Sequence, residues 1–423
     1  MKRFKILTTI ALCLSITACG ASDNQDNGSA TANNDDNVVR LAMWDTNQEK
    51  VMKEIVADYE KENPGTKIQI EMGSFKDHFT KLETQASGSV MPDIFFMNGP
   101  NFMKFASNNV LEPIDDLVDS KKIDLSDYPQ SLIDLYTYDG KLYGLPKDWD
   151  LTALWYNKEM FDNAGVDYPT DEWTWDDMAD AAEKLTNKEK GVWGIASQAA
   201  TQEGLYDTIP QSGGFIISED MKKSGYDTPE ALDGTQRWID FLEKEQSPDV
   251  QTQTDTKATE LFKAEKIAMI YAASWNVPEF MNSDNIKDKV DLVVMPKIKE
   301  RAATIHGLSY ALAANSKNKE KAKEFLTYLG SKEVNDKWAK SGAVIPANEK
   351  SLDIWKDSFP NINLQAFVDE LEYAVPYPVS KNTSKWNEME TNYLNEMFSL
   401  QTKPEDALKN LAKDMNQALA EEK

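Results

Sequence analysis

The apolar run "VVRLAMW", residues 38–44, predicts a short buried strand. Behind it Val51, Met52, Ile55, Val56 and Tyr59 recur at helical spacing and stop at Pro64-Gly65, which predicts a helix. "TKIQIEM" alternates Ile68, Ile70 and Met72 as a strand does, residues 76–87 predict a second helix ended by Gly88, and "PDIFFMN" predicts a third strand. Strands alternating with helices predict an α/β fold with a mostly parallel sheet. Beyond Leu145-Pro146 the pattern turns richer in helix, with residues 175–185 and 232–242 the clearest, followed by the strands "KIAMIYAASW", "VDLVVMP" and "GLSYALAANS". Residues 318–340 carry Ala322, Phe325, Leu326, Leu329 and Trp338 as one apolar stripe and predict a single long helix. No linker-like stretch divides the middle of the chain, so two domains have to be interwoven rather than strung in series.

The amino terminus follows a different logic. Lys2, Arg3 and Lys5 precede the apolar residues 6–16, and a small-residue stretch follows, the order of a signal peptide over residues 1–18. The apolar run is far short of the ~20 residues that span a bilayer. Ile16-Thr17-Ala18-Cys19 resembles the bacterial lipobox, which implies cleavage before Cys19, lipid on Cys19, and loss of Cys13 with the leader. Residues 20–37 are almost wholly small and polar, so residues 19–37 are expected to form a disordered tether. Disulfides are then excluded from the remainder, which its hydrophobic core has to hold together.

Charge and missing motifs narrow the chemistry. With 71 acidic against 46 basic residues the formal charge is −25, which disfavours nucleic acid and anionic lipid as partners. The only histidines, His78 and His306, sit in no metal-binding spacing, and both are expected to be structural, with His78 in "KDHF" a candidate cleft residue. Phosphate-binding, dinucleotide, nucleophile-elbow and CxxC signatures are missing, so neither cofactor nor metal is expected. Among so many acids the sequence neither identifies nor rules out a pair of carboxylates such as a glycoside hydrolase uses.

Asp148-Trp149-Asp150, in "PKDWDLTALWYNKEMFDNAG", sets two carboxylates around an indole where the first α/β segment ends. Such a group suits a sugar, whose C–H face packs on an indole while its hydroxyls donate to ionised oxygens. A capping acid, a surface acid and a core tryptophan would give the same three letters. Trp44 and Asp45 end the first strand, and Asn98-Gly99-Pro100 the third, so both lie at the carboxyl edge of a parallel sheet, where ligands bind.

"LWYNKEMFDNAGVDYPTDEWTWDDMADAAEKL" resembles a stretch of the family 1 extracellular solute-binding proteins, the maltose and multiple-sugar receptors of ABC importers. "ASGSVMPDIFFMNGPNFMKFASNNVLEPIDD", "FKAEKIAMIYAASW", "GLSYALAANSKNKEKAKEFLTYL" and "PEDALKNLAKDMNQAL" resemble further segments of that family, in the same order. The resemblance implies a two-lobed class II binding-protein fold with a ligand cleft and a hinge. It implies a first lobe of residues 38–148 and 292–340 and a second of 149–291 and 341–423, with crossings near 148–151, 288–292 and 340–343. It also implies ligand contacts from Trp275, Asn276 and Trp386 and a cleft wall shaped by Gly213 and Gly307, beside Trp44, Asp45, Asn98, Gly99, Asp148, Trp149 and Asp150. Trp155, Trp193, Trp238, Trp338 and Trp355 are expected to pack. The function implied is a monomeric, lipid-anchored receptor on the extracellular face of the membrane that passes a neutral oligosaccharide to an ABC permease. Three alternatives stay open: a cationic solute such as a polyamine, caged by acids and aromatics; a surface glycoside hydrolase; and an adhesin for glycans.

Overall fold

The computed structural model describes residues 37–422. Cys13, Cys19, the expected leader and residues 19–36 of the tether lie outside the described residues. Among the described residues no helix is long and apolar enough to cross a membrane.

Two hydrophobic cores organise two lobes. The first is built on a five-stranded sheet in the order Lys67–Met72, Val38–Met43, Ile94–Asn98, Leu308–Leu312, Gly144–Pro146. The first three strands are parallel, with Leu41 opposite both Ile70 and Ile94, and Leu308–Leu312 runs antiparallel to both of its neighbours, with Leu308 opposite Asn98. Ile94 to Met97 are all fully buried, the continuous apolar run expected of a strand covered on both faces. The second lobe has a four-stranded sheet in the order Val290–Val293, Thr152–Asn157, Ile267–Ala273, Trp193–Ala196. Here Thr152–Asn157 runs antiparallel to both neighbours. Helix Trp175–Leu185 starts at a capping box made by Thr174 and Asp177, and Trp175 packs edge-on against Trp238 at 4.9 Å.

The structure corrects two expectations. The second crossing is not near 288–292. Val290–Val293 pairs with Thr152–Asn157 inside the second sheet, and Ala303–Ile305 pairs with Ala374–Pro376, so the chain returns to the first lobe only at His306-Gly307. Residues 292–305 therefore belong to the second lobe, and the third passage lies between Val344, in the first core, and Ile345, in the second, directly after the expected 340–343. The expected helix over 318–340 is two, Lys319–Leu329 and Lys332–Ser341, because the Ser331 hydroxyl accepts from the Val334 N–H and starts a new helix after Gly330.

The three crossing segments lie against one another. Asp148 and Trp149 pair with Pro346 and Ile345, and Asp150 and His306 exchange backbone hydrogen bonds of 2.9 and 3.2 Å. Gly307 is required for this contact, since a Cβ there would sit 2.2 Å from the carbonyl oxygen of Asp148. Lys147, whose side chain is fully buried, holds Asp148 Oδ2 at 2.5 Å while its Nζ lies 4.4 Å from the ring of Trp338. The Leu308 N–H takes the other oxygen of Asp148 at 2.7 Å, fastening the first crossing to the second.

Candidate functional site

A cavity of about 630 Å³ lies between the lobes, over the crossing segments. From the first lobe it is lined by Trp44, Asp45, Gln48, Phe75, Asn98, Pro100 and Asn101, from the crossings by Asp148, Trp149, Asp150 and His306, and from the second lobe by Thr201, Gln202, Ser274, Trp275, Tyr377, Ser384, Asn387 and Thr391.

The first-lobe side follows from strand ends feeding helix starts. Asp45 caps helix Thr46–Glu62, taking the Asn47 N–H at 2.8 Å on Oδ1 and Gln48 Nε2 at 2.7 Å on Oδ2. Asn98 caps Gly99–Ser107 in the same way. Each carboxylate oxygen has a second lone pair, so capping leaves Asp45 able to accept again. Trp44 is half-buried and boxed by His78, Phe75, Phe96 and Phe79, with ring centres 4.7, 5.5, 5.6 and 5.7 Å away, so its indole is held in one orientation. His78, the candidate cleft residue, lies buried beneath it with Nε2 3.0 Å from the carbonyl of Phe96.

On the second-lobe side Trp275 is half-buried on the short turn after strand Ile267–Ala273. Asp150, on the first crossing, takes Gln202 Nε2 at 2.5 Å on Oδ1 and faces His306 Nδ1 at 3.3 Å with Oδ2. Tyr377 packs on His306 with ring centres 4.7 Å apart.

Trp44, Asp45, Asn98, Asp148, Trp149, Asp150 and Trp275 are thus brought together, but two of them differ from expectation in what they offer. Asp148 is 4% exposed and its charge is paired with the buried Lys147, with the Leu308 N–H on its other oxygen. Trp149 is 1% exposed, so it forms floor and presents no open face for stacking. Trp386 does not reach the cavity: it is fully buried and donates from Nε1 to Ser380 Oγ at 2.9 Å. It belongs to the inward stripe of helix Thr383–Phe398 with Glu390, Leu394 and Met397, while Ser384, Asn387 and Thr391 one step around face the cavity. That stripe is present in the sequence as a helical period. Asn276 also misses the lining, its Nδ2 bonding Glu279 at 3.1 Å. Gly213 lies in the turn after helix Tyr206–Gln211 at φ +86°, away from the lining, and Gly99 lies just behind it. Gln48, Asn101, Gln202, His306, Tyr377 and Asn387 had no local signature, since single amides and rings are common at every surface.

Buried acids surround the second-lobe wall. Glu390 is fully buried and accepts from Tyr226 at 2.5 Å, Asn387 at 2.6 Å and Tyr206 at 2.8 Å, and burial pushes its carboxyl up to about 7. Burial likewise pushes Asp207 up to about 8. Both bind a proton more tightly folded than unfolded. The stability they add is complete below the ordinary carboxylate range and is lost as pH rises through 7 to 8. His78 works in the other sense, because burial lowers it to about 4, so its contribution is present above about 6.5 and is lost as pH falls to 4. The thermal midpoint is expected to fall between pH 6 and 8.5, and Glu390→Gln, measured by calorimetry over the same range, to flatten the fall.

The profile of the family described as bacterial extracellular solute-binding protein matches residues 44–336. The galactooligosaccharide-binding protein of Bacillus subtilis is 24% identical over 405 residues, 92% of this chain and 91% of its own. The arabinooligosaccharide-binding protein of Halalkalibacterium halodurans is 25% identical over 389 residues, 85% and 84% of the two chains. An ABC substrate-binding protein of Listeria monocytogenes, solved with cycloalternan, is similar with a TM-score of 0.86 at 28% identity, covering 90% of this chain and 99% of its own. The T. maritima protein MalE3, solved with maltose, shares the fold with a TM-score of 0.78 at 22% identity, covering 90% and 99%. With its two lobes, its cleft over three crossings and a family match across more than half its length, the chain belongs to the bacterial extracellular solute-binding proteins of ABC importers.

Proposed function

We propose that this protein is the receptor of an ABC importer for an uncharged oligosaccharide, anchored through lipid on Cys19 and passing its sugar to a permease without making or breaking a covalent bond. The observation that carries this reading is the cavity lining: indoles from both lobes, side-chain amides and hydroxyls around them, and no lysine or arginine among the described residues that line it. Trp44 and Trp275 supply faces for sugar rings, and Asp45, Asp150, Gln202 and Asn387 supply hydrogen-bonding groups. Relatives named for arabino- and galactooligosaccharides support the same class. Mass spectrometry of the membrane-extracted protein, with a mature chain starting at lipid-bearing Cys19, tests the anchor.

Without a lining cation, uronate and phosphorylated sugars face Asp45 and Asp150 with nothing to neutralise them. Neutral di- to pentasaccharides are therefore expected to saturate tryptophan fluorescence and their uronate counterparts to give no response. Absence of saturation with every neutral sugar would refute the reading. The same acids favour the second reading, a cationic solute. The two separate by salt: neutral sugar binding is expected to hold between 50 mM and 1 M salt, whereas binding of spermidine would weaken steeply.

A further inference from the structure

The receptor reading gives no role to Glu390, a fully buried carboxyl on helix Thr383–Phe398, three residues after the cavity-lining Asn387. Asn387 donates from Nδ2 to Glu390 Oε2 at 2.6 Å and to the Tyr206 hydroxyl oxygen at 3.0 Å. Both partners act as acceptors toward it. Burial holds the Tyr206 and Tyr226 phenols well above their ordinary range, so both keep their protons, and they donate them to Glu390 Oε2 at 2.8 Å and Oε1 at 2.5 Å. An ionised carboxyl has no proton to give, and a phenol whose proton is engaged turns a lone pair to its other neighbour. With two acceptors on its inner side the amide has one satisfied orientation, nitrogen inward and oxygen outward, since the flipped form would set Oδ1 against lone pairs. Oδ1 is bonded to none of the described residues and is not sealed from solvent. The arrangement recurs at Gln202, a second lining amide, whose Nε2 is committed to Asp150 Oδ1 at 2.5 Å while its Oε1 is bonded to none of the described residues.

We infer that Glu390 is a positioning residue for specificity: it turns Asn387 so that the cavity wall offers a carbonyl oxygen, and the site thereby reads a sugar hydroxyl as a hydrogen-bond donor. An amide free to rotate meets a hydroxyl with either end, so it also takes a group that only accepts, such as an ether oxygen or a fluorine. A fixed carbonyl oxygen rejects these groups, because without a proton they leave it unpaired and set two negative ends together. Glu390 in this way selects the direction of the hydrogen bond as well as its place, and O-methylated and deoxyfluoro sugars are disfavoured at that position.

The sugar arm of this proposal rests on the receptor reading, but the orientation of the amide does not. Neutron diffraction from the perdeuterated, sugar-free protein at pH 8.5, above the value of about 7 to which burial pushes Glu390, is expected to place both amide deuterons of Asn387 on the side of Glu390 and Tyr206. Deuterons facing the cavity overturn the proposal. In the sugar arm, Asn387→Ala identifies the hydroxyl concerned as the one whose deoxy analogue binds this variant as well as the intact sugar does. If the variant tolerates no such analogue, Asn387 reads no hydroxyl and the proposal falls. At the position found, the parent protein is expected to bind the deoxy and the deoxyfluoro analogue about tenfold or more weaker than the intact sugar. A deoxyfluoro analogue that binds as well as the intact sugar overturns the proposal, since Asn387 would then be donating. Glu390→Met removes both acceptor oxygens and should narrow the preference for hydroxyl over fluorine about threefold or more, whereas a purely structural Glu390 would weaken both ligands equally and leave their ratio unchanged. Glu390→Gln, which keeps the volume and the polar contacts but brings a donor to the cluster, should narrow it in the same direction and covers the case in which Glu390→Met fails to fold. An unchanged ratio in the folded variants overturns the positioning role. A parent that binds no sugar sinks the receptor reading, while the neutron map still decides which end of Asn387 the cavity receives.

Discussion

Replacing Trp275 with alanine is expected to abolish measurable capture of sugar at micromolar concentration while the fold survives. The indole is half-buried on a turn at the cavity, so it has a face to offer and little packing to lose. Truncating an aromatic anchor of a binding surface costs about 2–4 kcal/mol, roughly 30- to 1000-fold in Kd. Titration calorimetry of Trp275→Ala against the sugar that saturates the parent reads this directly. Trp44→Ala should lose as much affinity but also some stability, because its indole fills a box of four aromatic rings. Tryptophan 386 gives the contrast: Trp386→Phe should lower the thermal midpoint, through lost core volume and the lost bond to Ser380, and leave affinity unaltered in the folded fraction. Equal affinity losses at positions 275 and 386 would show that the cavity lining is misassigned.

The other large effect lies at the hinge. Lys147→Met keeps the length of the side chain and removes the charge beside buried Asp148. Breaking a buried pair from one side costs about 3–5 kcal/mol, since it strands the remaining charge. Burial already raises the Asp148 carboxyl above its ordinary range against the pull of Lys147. Without the lysine it rises further and the folded protein takes up a proton there, so the penalty grows as pH rises. Adding Asp148→Asn to Lys147→Met removes the stranded charge and is expected to restore most of the loss, while an amide oxygen still accepts from the Leu308 N–H. Chemical denaturation of the three variants at pH 5 and pH 8 measures both effects. A Lys147→Met variant as stable as the parent at pH 8 would mean that Asp148 is solvated in solution.

Sequence reasoning offered both Asp148 and Asp150 to the ligand, and the fold surrounds the two differently. Asp148 and Asp150 are indistinguishable as letters around Trp149, yet one is charge-paired with buried Lys147 and bonded to the Leu308 N–H, and the other is bonded to Gln202 and His306, two residues of the cavity lining. Apart from Lys147, the chain neighbour of Asp148, their partners come from segments about 50 to 160 residues away, a separation that no local pattern encodes. The same holds for His306, read from sequence as structural, whose contacts with Gly99 and Asp150 exist only once these distant segments meet.

What the sequence determined by itself is what short-range physics controls. Periodicity and end signals placed the early strands and the helix Trp175–Leu185, and the strand ends put Trp44, Asp45 and Asn98 at one sheet edge. The order of family-like segments carried the two-lobed architecture. The tertiary structure alone decided where the chain recrosses, at 306–307 instead of 288–292, because a strand's sheet is chosen by its pairing partners and Val290–Val293 suits either lobe by its own pattern. It alone decided which tryptophans show a face, because exposure of a large ring depends on what distant segments pack upon it.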